Sequence, residues 1–412
     1  MVLNLLRLRG PMSRADIARI TGLHKATASG LLEALLARQL VKEIGTGPST
    51  GGRRPKLVTL NASAGTVIGA DLGVDYLLVV MLNLHGQVVW RKRILEAGSA
   101  NPAEEVERLA HLIEEAVASV PPAPLGLLGI GVAVPGLVED ETGRLLFAPN
   151  LGWQDVPVGD LLRRRFDVPV RVENDGNTGA LAEVWAGALE GAGHLFFLNV
   201  GVGVGAGIII DGEIYRGARG MAGEFGHTTV DPAGPLCNCG NRGCLETFVS
   251  QRALTGLVRR GADTGPTTLS AEAVFQAAER GDPAAIAALA RVGEYLGIGI
   301  ANALHTFDPD VVVIGGPMAR GGPSILNAVR RVVEQRAMPS IRSHVRIVVS
   351  TLGEDAPAIG AGAMILQEFF RIPGTRAPAR PLRSHDDVAD APLLGTRGAR
   401  HRRSRSSGTG SR

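Results

Sequence analysis

Two segments of this 412-residue chain repeat one supersecondary unit, and this repeat constrains the fold more than any other feature. TVIGADLGVDYLLVVMLNLHGQVV at 66–89 and LFFLNVGVGVGAGIIIDGEI at 195–214 each contain an apolar strand, a glycine-containing turn and a second apolar strand. In both copies the second strand ends at a polar residue followed by glycine. Two copies of one such unit predict a duplicated α/β body with two lobes and a cleft between them.

Helical segments separate the other apolar runs of this body. Pro102–Ser119 and Pro283–His305 have helical patterns, whereas Leu127–Val134 and Val311–Ile314 are short apolar runs typical of buried strands. At 412 residues the chain is too long for one compact domain. We therefore expect a small domain joined to a larger two-lobed one.

The first sixty residues have the pattern of a small DNA-binding domain. Helices are predicted over Val2–Arg9, Arg14–Thr21 and His24–Arg38, the second capped by Ser13. The loop GTGPSTGGRRP is flanked by two predicted strands, Leu40–Ile44 and Lys56–Leu60. Four leucines of the third helix are predicted to point inward: Leu31, Leu32, Leu35 and Leu36. Three helices and a two-stranded wing predict a winged helix. Its first helix is short, so we expect an upstream turn to be missing.

Charge is unevenly distributed along the chain. Residues 1–60 hold 10 Lys/Arg and 3 Asp/Glu, a net charge of +7, and residues 372–412 hold 9 Arg and 3 Asp, a net charge of +6. Residues 61–371 hold 24 Lys/Arg and 34 Asp/Glu, a net charge of −10. A basic head on an acidic body indicates that the head meets a polyanion. A solvated charged face is the alternative interpretation. The Pro-, Arg- and Ser-rich segment 372–412 is predicted to be a disordered basic tail.

The overall composition is that of a soluble globular protein, with 45% hydrophobic and 20% charged residues. We identify no apolar run approaching the roughly 18 residues of a membrane span. The start, MVLNLLRLRG, lacks the basic region and cleavage site of a signal peptide. We therefore expect a cytoplasmic protein with no membrane partner.

The third predicted helix is the candidate for DNA recognition. In a helix–turn–helix the start of this helix meets base edges in the major groove. The polar residues there, clear of the leucines, are His24, Lys25, Thr27 and Ser29. Arg53 and Arg54 at the wing tip are placed to enter the minor groove or pair with phosphates. The alternative is a small helical domain that binds protein.

All three cysteines of the chain lie within eight residues, and a histidine precedes them. Nine residues separate His227 from Cys237, one separates Cys237 from Cys239, and four separate Cys239 from Cys244. One His and three Cys form a donor set typical of structural zinc. The alternative is three buried thiols, but the glycines and asparagines around them favour a metal loop over a packed core.

Carboxylates and amides gather near the predicted cleft. Glu173-Asn174-Asp175 ends a strand and opens a helix, Glu224 precedes His227, and Glu246 follows the last cysteine. Such groups suit polyhydroxyl ligands, because each sugar hydroxyl both donates and accepts a hydrogen bond. Helix capping is the alternative role for each of them. The glycine-rich run at 201–207 precedes a strand, so it is not a dinucleotide fingerprint and is compatible with a flat hairpin.

Taken together, these residues resemble the ROK family (repressor, open reading frame, kinase) over about 1–371. The most specific match is GMAGEFGHTTVDPAGPLCNCGNRGCLE at 220–246, and the other matches follow in family order: IGADLG at 68–73, GVAVPG at 131–136, VEND at 172–175 and VVIGGP at 312–317. The resemblance implies an actin-like, hexokinase-like fold of two lobes. It also divides the chain into a winged helix at 1–60 and a sugar-binding body at 61–371. The second lobe would start near 176, and the last helix, 357–370, would return to the first lobe.

The resemblance also implies roles for individual residues. Sugar contacts fall on Asn150, Asn174, Asp175, Glu224, His227 and Glu246, and the zinc ligands on His227, Cys237, Cys239 and Cys244. Asp175 matches the general base of the family's kinases. His227 would serve twice, with one ring nitrogen on zinc and the other on a sugar hydroxyl.

Two phosphate turns of the family's kinases are altered here. The D-x-G-x-T turn becomes Asp71, Gly73 and Asp75, and the G-T-G turn becomes Gly201-Val202-Gly203. Because the threonines are gone, we expect a structural Zn²⁺ as the only cofactor and no ATP.

Together with the resemblance, the sequence thus predicts a dimeric, sugar-responsive transcription factor that represses carbohydrate-utilisation genes and is of the xylose-repressor type. Its partners would be a palindromic operator and a monosaccharide. A glucokinase-like ROK sugar kinase with an appended DNA-binding domain is the alternative. A regulator controlled by a partner protein is a third interpretation.

Overall fold

The computed structural model describes residues 1–47, 54–95, 101–185, 189, 193–260 and 269–371. Part of the wing loop, with Arg53, and the predicted tail at 372–412 lie outside the described residues. The described part forms a small head followed by two α/β lobes. The proposed domain boundaries at 60 and 371 stay predictions.

The head contains three helices and a small antiparallel sheet of order β1-β3-β2. Its elements are α1 Val2–Arg9, β1 Met12–Ser13, α2 Arg14–Thr21, α3 Lys25–Ala37, β2 Val41–Thr46 and β3 Lys56–Leu60. The predicted cap of α2 is confirmed, since Ser13 Oγ accepts from the Asp16 amide at 3.1 Å. The third helix begins one residue later than predicted, because His24 caps it through Nδ1 and the Ala26 amide.

The prediction that Leu31 of α3 points into the core is wrong. Leu31 is 39% exposed, whereas Leu32 is fully buried and Leu35 and Leu36 are half-buried. Successive helical residues are about 100° apart, so Leu31 points away from the core when Leu32 faces it directly. The buried stripe instead runs from Ala28 to Leu32.

The first lobe is built on a five-stranded sheet of order β11-β7-β4-β5-β6. Its elements are β4 Thr66–Leu72, β5 Tyr76–Asn83, β6 Val88–Leu95, α4 Pro102–Ala118, β7 Leu127–Val134, β8 Leu137–Glu139, β9 Arg144–Ala148, β10 Trp153–Val156, α5 Val158–Arg163 and β11 Val170–Asn174. Strands β8, β9 and β10 form a separate antiparallel sheet. The apolar face of α4 packs on the main sheet, where Leu109 and Ile113 are fully buried.

The second lobe carries a five-stranded sheet of order β14-β13-β12-β15-β16. Its elements are α6 Asp175–Trp185, β12 Leu195–Val200, β13 Val204–Ile210, β14 Glu213–Ile214, α7 Glu246–Val249, α8 Gln251–Arg260, α9 Ala271–Glu279, α10 Pro283–Phe307, β15 Val311–Gly315, α11 Gly322–Arg336, α12 Pro339–Arg342 and β16 Arg346–Val349. The last helix, α13 Ala356–Phe370, packs on β4 and β7 of the first lobe.

The two sheets have the same topology, which confirms the predicted duplication. In each sheet the first three strands pair antiparallel in sequence order. The fourth strand then pairs in parallel with the first, and the fifth pairs in parallel with the fourth. Parallel strands need a crossover connection, and helices supply it in both lobes. The fold is therefore a two-lobed, actin-like α/β body preceded by a helix–turn–helix head.

Helix α10 corrects the expectation about apolar runs. By length and composition it is apolar enough to cross a membrane. In this fold it is a core helix of the second lobe, with Val292, Leu296 and Ile300 fully buried. A long helix that is apolar on most sides is also what a large soluble core requires.

Candidate functional site

One cavity collects the predicted polar residues of the body. All six sugar-binding candidates line it, as do five of the six phosphate-turn residues: Asn150, Asn174, Asp175, Glu224, His227 and Glu246, then Gly73, Asp75, Gly201, Val202 and Gly203. The sixth phosphate-turn residue, Asp71, is buried outside this lining. The cavity therefore has a polar end, around the carboxylates, and a turn end, around Gly73 and Val202.

Asn174 and Asp175 enter the cavity where β11 ends and α6 begins. Asn174 Oδ1 accepts from the Gly176 amide at 2.8 Å, and its Nδ2 donates to the Gly136 carbonyl at 3.0 Å. Asp175 accepts a 2.9 Å hydrogen bond at Oδ2 from Asn199 Nδ2. Burial raises the pKa of Asp175 to about 6, against the effect of this hydrogen bond. Asn174 thus caps α6, which was its alternative role, and it also lines the cavity. Its role in sugar binding stays a prediction.

Glu246 and Glu224 complete a set of three carboxylates. Glu246 is buried and accepts from the Val204 amide at 3.0 Å through Oε2. Asn150 Nδ2 lies 3.4 Å from the same oxygen. Burial, followed by repulsion from Asp175 and Glu246, raises the pKa of Glu224 to about 7. The polar end therefore concentrates three carboxyl groups suited to accept hydrogen bonds from a ligand, and burial disfavours the charged forms of Asp175 and Glu224.

His227 and the three cysteines form one compact donor set. Their ligand atoms all lie within 4.8 Å of one another. Cys237 Sγ is 3.6 Å from His227 Nδ1, and Cys239 Sγ is 3.8 Å from Cys244 Sγ. A tetrahedral zinc ion with sulfur ligands at about 2.3 Å holds its sulfurs about 3.8 Å apart. These two separations are close to those of a tetrahedral site, so the four residues fit a zinc ion.

The metal cluster and the polar end of the cavity share residues. The second ring nitrogen of His227, Nε2, is 3.8 Å from Glu224 Oε2, and both residues line the cavity. Cys237 Sγ lies 3.7 Å from Glu246 Oε1. Asn238, between two of the cysteines, donates to Asn150 Oδ1 at 3.0 Å. A change in the metal loop therefore reaches three groups that face the ligand space.

A cluster that sequence reasoning missed closes the turn end of the cavity. Tyr76 Oη donates to Asp71 Oδ2 at 2.6 Å, and Arg93 lies 4.2 Å above the tyrosine ring and pairs with Glu354. The ring covers the turn so closely that a Cβ on Gly73 would lie 2.4 Å from its Cε1 atom. Burial raises the pKa of Asp71 to about 7. Tyr76 therefore pairs with Asp71 and Arg93 with Glu354 at this end, whereas the buried Nε of Arg93 has no hydrogen-bond partner among the described residues.

Asn199, the partner of Asp175, was also missed. Its only sequence signal is its place near the end of an apolar strand, two residues before the Gly201 turn. Tyr76 had a comparable signal, since it directly follows Asp75 of the altered turn.

The DNA-binding candidates of the head occupy one end of α3 and the wing. His24, Lys25 and Thr27 are exposed, and Ser29 is half-buried. Arg54 is exposed, whereas Arg53 lies outside the described residues. Their roles as DNA contacts stay predictions.

Comparisons with known proteins cover both parts of the chain. The ROK family model matches residues 67–368, and the IclR helix-turn-helix domain model matches residues 1–45. The xylose repressor of Caldicellulosiruptor bescii is 38% identical over 88% of this chain and 93% of its own length.

Two solved structures also resemble the chain. One is a ROK family transcriptional regulator, a homologue of the Escherichia coli MLC protein, with a TM-score of 0.73, 28% identity and coverage of 89% of this chain and 94% of that one. The other is a ROK family glucokinase from Streptomyces griseus in complex with glucose and AMPPNP. Its TM-score is 0.66 at 28% identity, over 73% of this chain and 99% of that one. This chain belongs to the ROK family and has a helix–turn–helix head.

Proposed function

We propose that this protein is a sugar-responsive DNA-binding repressor whose cavity holds a neutral monosaccharide and transfers no phosphate to it. The observation that carries the proposal is the convergence of the six sugar-binding candidates in one cavity, within a chain that also has a helix–turn–helix head. Relatives named as xylose repressors, similar over most of both chains, support a regulatory role. They also make xylose the first monosaccharide to test.

The charge of the cavity supports a neutral ligand. Asp175, Glu224 and Glu246 all line its polar end, where they can accept hydrogen bonds from hydroxyl groups. The phosphate group of a sugar phosphate is mostly dianionic at neutral pH, so it rarely has a hydrogen to donate to these carboxylates and is repelled by their charge. At about 4 Å and an effective dielectric near 20, one pair of like charges costs roughly 4 kcal/mol.

We further propose that one Zn²⁺ per chain is bound by His227, Cys237, Cys239 and Cys244. A closed set of four protein ligands is typical of structural rather than catalytic zinc. The ion would order the loop that carries Glu224 and Glu246 and would fix the orientation of the His227 ring.

Sugar kinase activity is the second candidate function, and Asp175 favours it. This carboxylate stands at the family's general-base position, in a fold shared with a glucokinase that binds AMPPNP. Phosphoryl transfer, however, depends on positioning and electrostatic stabilisation of the phosphates. Here Val202 lines the second turn without a hydroxyl group, and Tyr76 covers the first turn. Exposed Asp75 at the cavity edge adds a negative charge. These features support a sensor over a kinase.

We propose that two heads of a cytoplasmic homodimer bind a palindromic operator. The +7 head on the −10 body and the exposed polar start of α3 support this arrangement. Closure of the lobes around the sugar would reposition the heads and lower the affinity for the operator.

The test begins with selection of operator fragments from genomic DNA by the full-length protein. A thermal-shift panel of monosaccharides and sugar phosphates then identifies the ligand, since a ligand at 100 times its Kd adds about 2.7 kcal/mol of apparent stability. The identified sugar should weaken operator binding. Absence of any enriched site, or a sugar phosphate that binds far more tightly than its parent sugar, would contradict the proposal.

Mutation of the wing tests the DNA contacts separately. Replacing Arg53 and Arg54 by Ala should weaken operator binding and reduce the slope of log affinity against log salt by up to about two. An unchanged slope would remove the wing from the interface.

A further inference from the structure

Two helices begin at the cavity and end beneath the head. Helix α6 starts at Asp175, which lines the cavity, and ends at Trp185. Helix α13 follows Glu354, which also lines the cavity, and ends at Phe370. A helix rises 1.5 Å per residue, so these helices span about 16 Å and about 22 Å. Each is thus a rigid connection from the ligand space to the far side of the body.

The two helices belong to different lobes and cross each other closely. Helix α6 packs on β12 and β13 of the second lobe, whereas α13 packs on β4 and β7 of the first. Where they meet, a Cβ on Gly360 would lie 1.7 Å from the Thr178 carbonyl oxygen, so the backbones are in direct contact. Because each helix is fixed to its own lobe, rotation of the lobes pivots one helix against the other at this contact and changes the relation between their ends.

Arg7 of the head contacts the last residues of both helices, Trp185 of α6 and Phe370 of α13. The Arg7 guanidinium carbon lies 4.1 Å from the centroid of the Trp185 ring and 5.3 Å from that of Phe370. Both distances are within the range of cation–π attraction. On the same helix α1, Val2 and Leu6 are buried in an apolar cluster that also contains Phe370. The position of α1 is therefore coupled to the positions of both aromatic rings.

We propose that Arg7 couples sugar occupancy to the head by bridging Trp185 of the second lobe and Phe370 of the first. Lobe closure around a sugar alters the distance between the two rings. Arg7 can therefore make both cation–π contacts at favourable distances in only one lobe arrangement. Since α1 carries Arg7, this difference biases the head position. The inference rests on the proposed function, and it makes Arg7 a positioning residue that contacts neither ligand.

The experiment compares Arg7→Ala with Arg9→Ala in the full-length protein. Both changes remove one positive charge from α1, but Arg9 is exposed and serves as the matched control. Operator affinity is measured with and without D-xylose, or with the monosaccharide that the thermal-shift panel returns. Allosteric coupling typically changes affinity about 5- to 150-fold. Arg7→Ala should lose most of the wild-type factor, and Arg9→Ala should retain it.

Two further measurements separate coupling from a structural defect. Sugar affinity without DNA should stay within about twofold of wild type in Arg7→Ala, and reciprocity requires that operator DNA no longer changes it. Trp185→Phe keeps a ring but weakens the cation–π contact, so it should reduce the coupling partially. In a protein whose other tryptophans, Trp90 and Trp153, are replaced by Phe, sugar should change the Trp185 emission.

The outcomes distinguish a failure of the proposed role of Arg7 from a failure of the proposed repressor function. A full sugar response in Arg7→Ala, or an equal loss in Arg7→Ala and Arg9→Ala, overturns the role of Arg7 and leaves the repressor function intact. If no sugar changes the operator affinity of the wild-type protein, both the proposed function and this coupling are overturned.

Discussion

The two ends of the cavity differ in the surroundings of their acidic groups. At the polar end Asp175, Glu224 and Glu246 crowd together, and the pKa values of Asp175 and Glu224 rise to about 6 and 7. At the turn end Tyr76 and Asp71 bond each other instead. Asp175 and Glu246 also accept hydrogen bonds from the protein, but a carboxylate has several acceptor sites, and Asp175, Glu224 and Glu246 all line the cavity. At the turn end Asp71 lies outside the cavity lining and the Tyr76 ring covers the Gly73 turn. The comparison indicates that the carboxylates of the polar end are the more accessible to a ligand.

The largest expected effect comes from breaking the metal loop that supports the polar end. Cys239→Ser should reduce bound zinc from one ion per chain to none. It should also lower sugar affinity at least about tenfold, because the same loop positions Glu224, His227 and Glu246. Elemental analysis and calorimetry measure the two effects. Asn241→Ala, in the same loop but without a ligand atom in the cluster, is the control. Zinc loss with unchanged sugar affinity would disprove the coupling only.

Removing a carboxylate from the polar end should have the next largest effect. A hydrogen bond to a charged group contributes about 1.5–3 kcal/mol, so Asp175→Ala should weaken sugar binding about 10- to 150-fold. Operator binding without sugar should be unchanged. Asp75→Ala removes a carboxylate at the turn end and should leave sugar affinity nearly unaltered. If both variants lose affinity equally, the two ends do not differ as described.

Reopening the turn end tests the same comparison from the other side. The double change Asp75→Thr with Val202→Thr restores the two hydroxyls, but Tyr76 still covers the turn. We therefore expect sugar-dependent ATP turnover only when Tyr76→Ser is added, and then at a rate far below the ~1–100 s⁻¹ typical of kinases. A coupled ATPase assay measures it, with Asp175→Asn as the inactive control. Kinase-like turnover by the wild-type protein, lost in Asp175→Asn, would assign the chain to the enzymes.

The smallest effect is on stability and depends on pH. The folded pKa of Glu224, about 7, lies above its ordinary value of 4.5, so the folded state loses stability as pH rises between these values. Glu224→Gln stays neutral and should be more stable than wild type at pH 8 and equal to it below pH 4. The gain should be about 1 kcal/mol, discounted because the side chain is 38% exposed. Equal stability at pH 8 would show that Glu224 is well solvated.

The parts of the molecule that were predictable from sequence are those encoded locally. The repeated strand–turn–strand unit gives the duplicated sheets, because both copies are continuous in sequence. The metal ligands and two of the three carboxylates lie within the single motif at 220–246. The glycines and asparagines beside the cysteines indicate a loop rather than a packed core.

The parts that were not predictable depend on pairing between distant segments. Arg93 reaches Tyr76 only because β6 pairs with β5, and Glu354 reaches Arg93 only because α13 returns to the first lobe. Nothing near Arg7 in the sequence indicates that it meets Trp185. Leu31 shows the opposite failure, since two pairs of adjacent leucines, at 31–32 and 35–36, do not indicate which member of each pair faces the core.

The return of α13 to the first lobe affects how the chain folds during synthesis. The strands of that lobe are complete at Asn174, but the helix that covers β4 and β7 ends only at Phe370. At about 5–20 residues per second, the ribosome needs roughly 10–40 s to make the intervening segment. During this interval the second lobe can form as a continuous unit, whereas the first lobe's sheet has an uncovered apolar face. The first lobe, and the seat of the head on Phe370, are therefore completed last.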